Sequence, residues 1–89
     1  MTATATDHLT LYHFTSCPFC LRVRMALKRL GLDIRYRNIR QDPDARAELL
    51  AEGGRTMVPC LRIDSPDGKT VWMYESADIV RYLYHTFGS

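Results

Sequence analysis

The cysteine pair Cys17 and Cys20 constrains the fold of this chain most, because it stands between two stretches with different periodicities. Residues 8–14, HLTLYHF, alternate in a way that predicts a β-strand. From Pro18 onward, apolar residues recur at helical spacing until Gly31, which favours a helix that begins at proline and ends at glycine. The sequence therefore predicts a strand, a turn that carries two cysteines, and a helix in direct succession.

The remainder of the chain contains signals for three more strands and two more helices. The predicted strands cover residues 32–39, near a sheet edge, 58–63 (VPCLRI) and 69–74 (KTVWMY). The predicted helices run from the Asp42–Pro43 start signal through Leu50 to the Gly53–Gly54 stop, and across residues 75–87. Between the last two strands, the sequence SPDG predicts a tight turn.

This order, β-α-β-α-β-β-α, predicts an α/β fold with a four-stranded mixed sheet and three helices. The first half is a βαβ crossover, which requires parallel strands and a right-handed connection. The last two strands form an antiparallel hairpin. We expect a single domain over residues 1–89, in which the Thr- and Ala-rich residues 1–7 form a flexible tail.

Composition excludes several classes of function. The chain has 89 residues and a formal net charge of +2, which does not indicate a nucleic-acid-binding protein. No stretch approaches the ~20 apolar residues that span a bilayer, and the N-terminus does not resemble a signal peptide. Three cysteines do not form the even set of a secreted disulfide scaffold. We therefore expect a cytoplasmic protein without a membrane partner.

The close cysteine pair allows a metal site, a structural disulfide or a redox pair. A structural zinc site takes four ligands, often as two close pairs, and this chain has only one close pair. In a reducing compartment a close pair is more often catalytic or metal-binding than structural. The start of a helix favours a thiolate at Cys17, because free N–H groups and the positive end of the helix dipole meet there. Cys20, one turn further on, is placed to attack a mixed disulfide on Cys17. We expect an exposed Cys17 and a more buried, less acidic Cys20.

Three segments together resemble a known family. CPFC after an apolar strand, then MVPC, then YESADIVRYL, is similar to the glutaredoxin family of the thioredoxin fold, from about Leu9 to Tyr84. The segment ESADIVRYL resembles the N-terminal domain of glutathione transferases more than it resembles ordinary glutaredoxins. The resemblance implies a thioredoxin-like fold and the use of glutathione.

The resemblance also implies roles for individual residues around the cysteines. Cys17 and Cys20 match the catalytic dithiol, and Phe19 matches an aromatic position beside it. Pro59 matches the family's cis-proline, which faces the nucleophilic cysteine. The backbone of Val58 then pairs with the cysteinyl part of glutathione, as a short added strand would.

At the other end of the chain, Glu75 and Ser76 match the pair that holds the γ-glutamyl end of glutathione. A helix start offers N–H groups to a carboxylate, and the Glu75 side chain would meet the ligand's ammonium group. Asp78 lies where glutaredoxins often have an acid. It would equally complement the helix dipole.

The glycyl end of glutathione has no assigned partner in the sequence. Glutaredoxins frequently carry a lysine where Phe14 stands, three residues before the first cysteine. Arg40, Gln41 and Arg55 are candidate replacements, and the sequence does not choose among them. Cys60 is expected to face the core as a small hydrophobe.

The implied function is that of a glutathione-dependent thiol–disulfide oxidoreductase. Glutathione serves as co-substrate, no metal is needed, and the partners are glutathionylated or disulfide-containing proteins. We expect a monomer that binds no nucleic acid. The alternative is a glutathione-binding, transferase-like module with little reductase activity. Iron–sulfur cluster binding by a dimer is less expected, because the family members that do this mostly have glycine where Pro18 stands.

Overall fold

The computed structural model describes residues 8–88, so the predicted tail over residues 1–7 lies outside the described part. The elements are β1 (Leu9–His13), α1 (Pro18–Arg29), β2 (Arg35–Asn38), α2 (Pro43–Glu48), β3 (Cys60–Asp64), β4 (Thr70–Met73) and α3 (Ser76–Phe87). A π-helical turn, Leu49–Gly53, prolongs α2. The predicted order of strands and helices is confirmed.

The four strands form one mixed sheet in the order β2-β1-β3-β4. β1 pairs with β2 in parallel, while β1 with β3 and β3 with β4 pair antiparallel. The hairpin turn is closed by a hydrogen bond from the Gly68 N–H to the Ser65 carbonyl. The α/β thioredoxin-like architecture is therefore confirmed, including the edge position of β2.

β2 is shorter than predicted, because Leu32, at the start of the predicted strand, takes part in the hydrogen bonds that end α1. Gly31 adopts φ +68°, and its N–H donates to the Lys28 carbonyl. The Leu32 N–H then donates to the Leu27 carbonyl at 2.9 Å, which completes a glycine helix stop. The strand begins only at Arg35.

α2 begins as predicted and ends differently. Asp42 caps its first turn and Pro43 is its first residue. At Leu49 the α-helix gives way to the π-helical turn, and Gly54, at φ +90°, ends it. The predicted glycine stop is confirmed, although the last turn is not α-helical.

The hydrophobic core lies on both faces of the sheet, because successive strand residues point to opposite sides. Leu9 and Leu11 of β1 pack toward α1 and α3, whereas Tyr12 packs toward α2. The cluster under α2 consists of Tyr12, Ile39, Ala45, Leu49 and Cys60. Within residues 8–88, no helix is both long enough and apolar enough to cross a membrane.

Candidate functional site

One edge of the sheet brings together every segment that the sequence analysis singled out. β1, β2 and β4 run toward this edge, and β3 starts from it. The strand register pairs Tyr12 with Cys60 and His13 with Asn38, so the residues just beyond them meet there. α1 and α3 also begin at this edge. The topology thus gathers positions that are up to about sixty residues apart in sequence.

Cys17 forms the start of α1. Its backbone is extended, with φ −79° and ψ 120°, and Pro18 occupies the first helical turn as predicted. The Cys17 Sγ accepts a hydrogen bond from the Cys20 N–H at 3.4 Å. Arg24 turns back from α1 and donates to the Thr15 carbonyl at 3.1 Å, which places its charge beside the loop before Cys17. The sulfur therefore occupies the position of a helix cap.

The two cysteines differ less in exposure than predicted. Cys20 is fully buried, but Cys17 is only 6% exposed, so the expectation of an exposed nucleophile is wrong. The cap position explains this, because it draws the sulfur over the first turn of α1. Burial, and then the hydrogen bond with Cys17, raise the pKa of the Cys20 thiol above its ordinary value. The predicted ranking of burial holds, and Cys20 remains protonated at neutral pH.

Phe19, between the cysteines, points outward. It is 55% exposed, and so is free to cover a ligand or a protein partner beside Cys17. It takes no part in either core cluster.

Val58 and Pro59 lie at the amino end of β3. The peptide bond between them is cis, as the resemblance implied, and Pro59 is buried. Val58 packs against the cluster under α2, as does Phe14. One further step in the β1–β3 register places Pro59 beside His13, four residues before Cys17.

The start of α3 lacks a side-chain cap among the described residues. Glu75 takes the cap position in an extended conformation, and its side chain makes no capping hydrogen bond. Ser76 is the first helical residue, one position after the predicted start at Glu75. The first N–H groups of a helix have no intrahelical acceptor, so they stay available to an external anion.

The three candidates for the glycyl end are separated by the structure. The Arg40 guanidinium stacks on Phe14, with Cζ 4.0 Å from the ring centroid, and its Nη1 lies 3.5 Å from Ser16 Oγ. Gln41 joins them around a groove of about 270 Å³. Arg55 instead stacks on Tyr74, next to α3, with Cζ 5.6 Å from the ring centroid. Only Arg40 and Gln41 therefore lie on the β2 side of Cys17.

Cys60 faces the core, as predicted. It is fully buried opposite Tyr12, and burial raises the pKa of its thiol to about 12. A protonated, inaccessible thiol is chemically inert. Within residues 8–88, no group of three or more His, Cys, Asp or Glu side chains is placed to hold a metal ion.

Sequence reasoning missed one polar contact of this edge. The Tyr74 ring packs against the cluster under α2. Its hydroxyl also bonds to the backbone of Arg55. No sequence signal indicates this contact, because the two residues are nineteen positions apart.

Known proteins with similar sequences or structures include a glutaredoxin, a maleylacetoacetate isomerase and a glutathione transferase. A glutaredoxin from Pseudomonas aeruginosa is 35% identical over 51 residues, which cover 57% of this chain and 61% of that protein. A maleylacetoacetate isomerase from Anaeromyxobacter dehalogenans, solved with dicarboxyethyl glutathione and citrate in its active site, is 28% identical with a TM-score of 0.70. A sigma class GST from Fasciola hepatica is 30% identical with a TM-score of 0.65.

The chain spans only part of each of these proteins. It covers 61% of the glutaredoxin, 39% of the isomerase chain and 38% of the sigma class chain. The two structural matches nevertheless cover 94% and 92% of this chain. The family model described as "Glutathione S-transferase, N-terminal domain" matches residues 11–89, so this chain belongs to the family of thioredoxin-like N-terminal domains of glutathione transferases.

Proposed function

We propose that this chain is a glutathione-dependent thiol–disulfide oxidoreductase that uses Cys17 as its nucleophile. One observation carries the proposal. Cys17 caps α1 at the sheet edge where the Val58–Pro59 segment and the open start of α3 also lie. The positive end of the α1 dipole and the Cys20 N–H both interact more favourably with a thiolate than with a thiol.

Glutathione would lie across the strand ends. Arg40 follows β2 and Ser76 follows β4, so three strand spacings separate them, or roughly 14 Å at about 4.8 Å per spacing. An extended tripeptide measures roughly 10 Å over its whole length, and the Arg40 side chain covers the difference. The similar isomerase holds a glutathione derivative in its active site, which supports glutathione as the ligand.

The γ-glutamyl end would bind at the start of α3. Its carboxylate meets the free N–H groups of the first turn and the Ser76 hydroxyl. The Glu75 side chain makes no ion pair within residues 8–88, which leaves it free to meet the ammonium group. The cysteinyl part would pair with the Val58 backbone, which directs its sulfur toward Cys17.

The glycyl carboxylate would bind Arg40. Stacking on Phe14 holds the guanidinium plane, and the planar group offers paired N–H donors to a carboxylate. Arg55 lies on the α3 side, at the opposite end of the proposed ligand. Arg40 therefore replaces the lysine that glutaredoxins frequently carry at the position of Phe14.

The chemistry is exchange between sulfur atoms. The Cys17 thiolate attacks the glutathionyl sulfur of a mixed disulfide, which forms a Cys17–glutathione disulfide and breaks the bond to the protein substrate. The substrate leaves as a thiolate and takes up a proton. A second glutathione thiolate then attacks the glutathionyl sulfur, which releases glutathione disulfide and restores the Cys17 thiolate.

Cys20 offers a second route, in which its thiolate attacks the Cys17 sulfur, forms a Cys17–Cys20 disulfide and releases reduced glutathione. Two further glutathione molecules then reduce this disulfide to the dithiol and leave as glutathione disulfide. This route requires Cys20 to lose its proton, and burial raises the pKa of that thiol. Resolution by a second glutathione should therefore dominate at neutral pH. The share of the Cys20 route should grow as the pH rises.

A coupled assay with glutathione, glutathione reductase, NADPH and a glutathionylated peptide tests the proposal. The wild-type chain should reduce the peptide, and Cys17→Ser should fall to the uncatalysed rate. Cys20→Ser should retain most of this activity but lose the reduction of protein disulfides that needs both thiols. Cys60→Ser, which changes a thiol outside the site, is the matched control. Near-full activity of a folded Cys17→Ser variant would show that another group is the nucleophile.

A second candidate function is a glutathione-binding, transferase-like module with little reductase turnover. The family match and the isomerase and sigma class neighbours favour it. Isothermal titration with glutathione separates the two candidates. Binding without turnover in the coupled assay would support the module, and turnover would support the oxidoreductase.

The partners would be glutathionylated or disulfide-containing proteins, the chain would act as a monomer, and it would work in the cytoplasm. Light scattering during size-exclusion chromatography tests the monomer directly, because a dimer would give a measured mass of twice the 10.3 kDa of the chain.

A further inference from the structure

The Tyr74 hydroxyl joins two segments of the proposed glutathione site. Tyr74 immediately precedes Glu75 at the end of β4. Its hydroxyl oxygen accepts a hydrogen bond from the Arg55 N–H at 3.3 Å, and the hydroxyl donates to the Arg55 carbonyl at 3.1 Å. Both bonds reach the backbone of one residue, three positions before Val58.

Within residues 8–88, the segment 55–59 makes no hydrogen bonds other than these two. This stretch links the π-helical turn to β3 and has no regular secondary structure of its own. Packing by Val58 and Pro59 holds its far end. The Tyr74 hydroxyl is therefore the polar tether of the segment that presents the Val58 backbone.

Neighbouring residues closely surround the Tyr74 hydroxyl. A Cβ atom at Gly53 would collide with the Tyr74 hydroxyl and would also lie 3.1 Å from Cε3 of Trp72. The Arg55 guanidinium stacks on the Tyr74 ring, with Cζ 5.6 Å from the ring centroid. The hydroxyl thus has a defined place between Gly53 and Arg55.

We propose that Tyr74 is a positioning residue, whose hydroxyl holds the Val58 segment at a fixed distance from the start of α3. The two segments then accept the cysteinyl and γ-glutamyl parts of one glutathione molecule without reordering. This inference rests on the proposed function. It adds that binding depends on a side chain that does not touch the ligand.

The test is Tyr74→Phe, which keeps the packed ring and removes the two hydrogen bonds. We expect the Kd for glutathione to rise roughly fivefold to tenfold, and the KM for glutathione with it, while kcat stays unchanged. The rate at which iodoacetamide alkylates Cys17 should also stay unchanged, because the start of α1 is intact. Tyr84→Phe is the control, because it removes an exposed hydroxyl on α3 that has no partner among the described residues. It should change neither the Kd for glutathione nor the alkylation rate of Cys17.

A double-mutant cycle with Gly53→Ala makes the test specific to the hydroxyl. Gly53→Ala alone should weaken glutathione binding, because the new methyl group displaces the hydroxyl. In the Tyr74→Phe background the same change should have a much smaller effect. Additive effects would overturn the proposal. If Tyr74→Phe does not fold, Gly53→Ala decides alone: weaker binding with unchanged alkylation supports the tether, and unchanged binding overturns it.

The two proposals fail in different ways. If the wild-type chain binds no glutathione, the proposed function fails and this inference fails with it. If the wild type binds glutathione and Tyr74→Phe binds it equally well, only the positioning role of Tyr74 is overturned.

Discussion

The starts of α2 and α3 differ in one respect that separates stability from binding. Both helices begin after an acidic residue in an extended conformation. At α2 the Asp42 carboxylate accepts hydrogen bonds from Asp44 N–H at 3.0 Å and Ala45 N–H at 3.3 Å. At α3 the longer Glu75 side chain makes no such bond within the described residues.

The difference shows how one local motif serves two purposes. Aspartate is short enough to return to its own helix, so α2 is internally satisfied and stabilised. Glutamate followed by serine leaves the first turn of α3 open at the same sheet edge as Cys17. The start of α1 is intermediate, because its cap is the Cys17 sulfur, which accepts one N–H bond. A capped start contributes to folding, whereas an open start is available to a ligand.

The largest expected effect comes from placing a negative charge at the open start. Ser76→Asp should weaken glutathione binding by roughly tenfold to thirtyfold, because the new carboxylate repels that of the γ-glutamyl group. The free energy of unfolding should hold or rise, since an acid in the first turn complements the helix dipole. Calorimetric titration and thermal unfolding measure the two effects. Thr86→Asp, in the last turn of α3, controls for the charge change, and equal losses in both variants would refute a site at Ser76.

The next largest effect is expected at the start of α2, where a substitution should change stability and leave glutathione binding unchanged. Asp42→Ala should lower the thermal midpoint by roughly 5 °C, because two N–H groups lose their acceptor and Arg37 loses one of its two carboxylate partners. Glutathione affinity should not change. Differential scanning calorimetry and titration of the same sample check both statements. A loss of binding as large as that in Ser76→Asp would break the distinction between the two helix starts.

The stabilisation from Asp42 should depend on pH in a defined direction. The hydrogen bond with Arg37, followed by the bond from the Ala45 N–H, lowers the pKa of Asp42 below its ordinary value of 3.8. A carboxyl with a lowered folded-state pKa stabilises the fold above its unfolded pKa and loses that contribution as pH falls through the folded value. The difference in stability between wild type and Asp42→Ala should therefore be complete at neutral pH and shrink below pH 3.8. Urea unfolding across this range measures it, and a difference that persisted at the acid end would contradict the capping role.

The smallest effect is expected from removing the negative charge of Glu75 at the start of α3. Glu75→Gln should weaken glutathione binding by about threefold, because an exposed ion pair with the ligand's ammonium group contributes little free energy. Thermal stability should not move, since the Glu75 side chain makes no capping bond. Titration at low and high salt provides the check. A loss that did not shrink at high salt would argue against an ionic contact.

Most of the fold could be predicted from local signals. Pro18, Asp42 and the glycine stops each act within one helical turn, so their positions in the sequence suffice. The same reliance on local signals made the predicted β2 too long. Leu32 fits both the alternation of a strand and the stop of a helix. In the structure its N–H donates to the Leu27 carbonyl as part of the helix stop.

The candidate site was less predictable, because its residues meet through the sheet. Cys17 and the α3 start were found from their motifs and the family resemblance. Arg40 was only one of three candidates until its stacking on Phe14 placed it on the β2 side. The burial of Cys17 was missed, because spacing along a chain does not report how far a cap side chain folds over its helix.

Local signals in the amino-acid sequence are enough to give the order of the elements, the helix starts, and the thiol that begins α1. These features depend on proline, aspartate and glycine acting on their own neighbours. Two other features follow from tertiary contacts: Arg40 and Arg55 lie at opposite ends of one edge, and the Tyr74 hydroxyl holds the Arg55 backbone. These contacts join residues far apart in sequence, and only the pairing of strands brings them within a few ångströms.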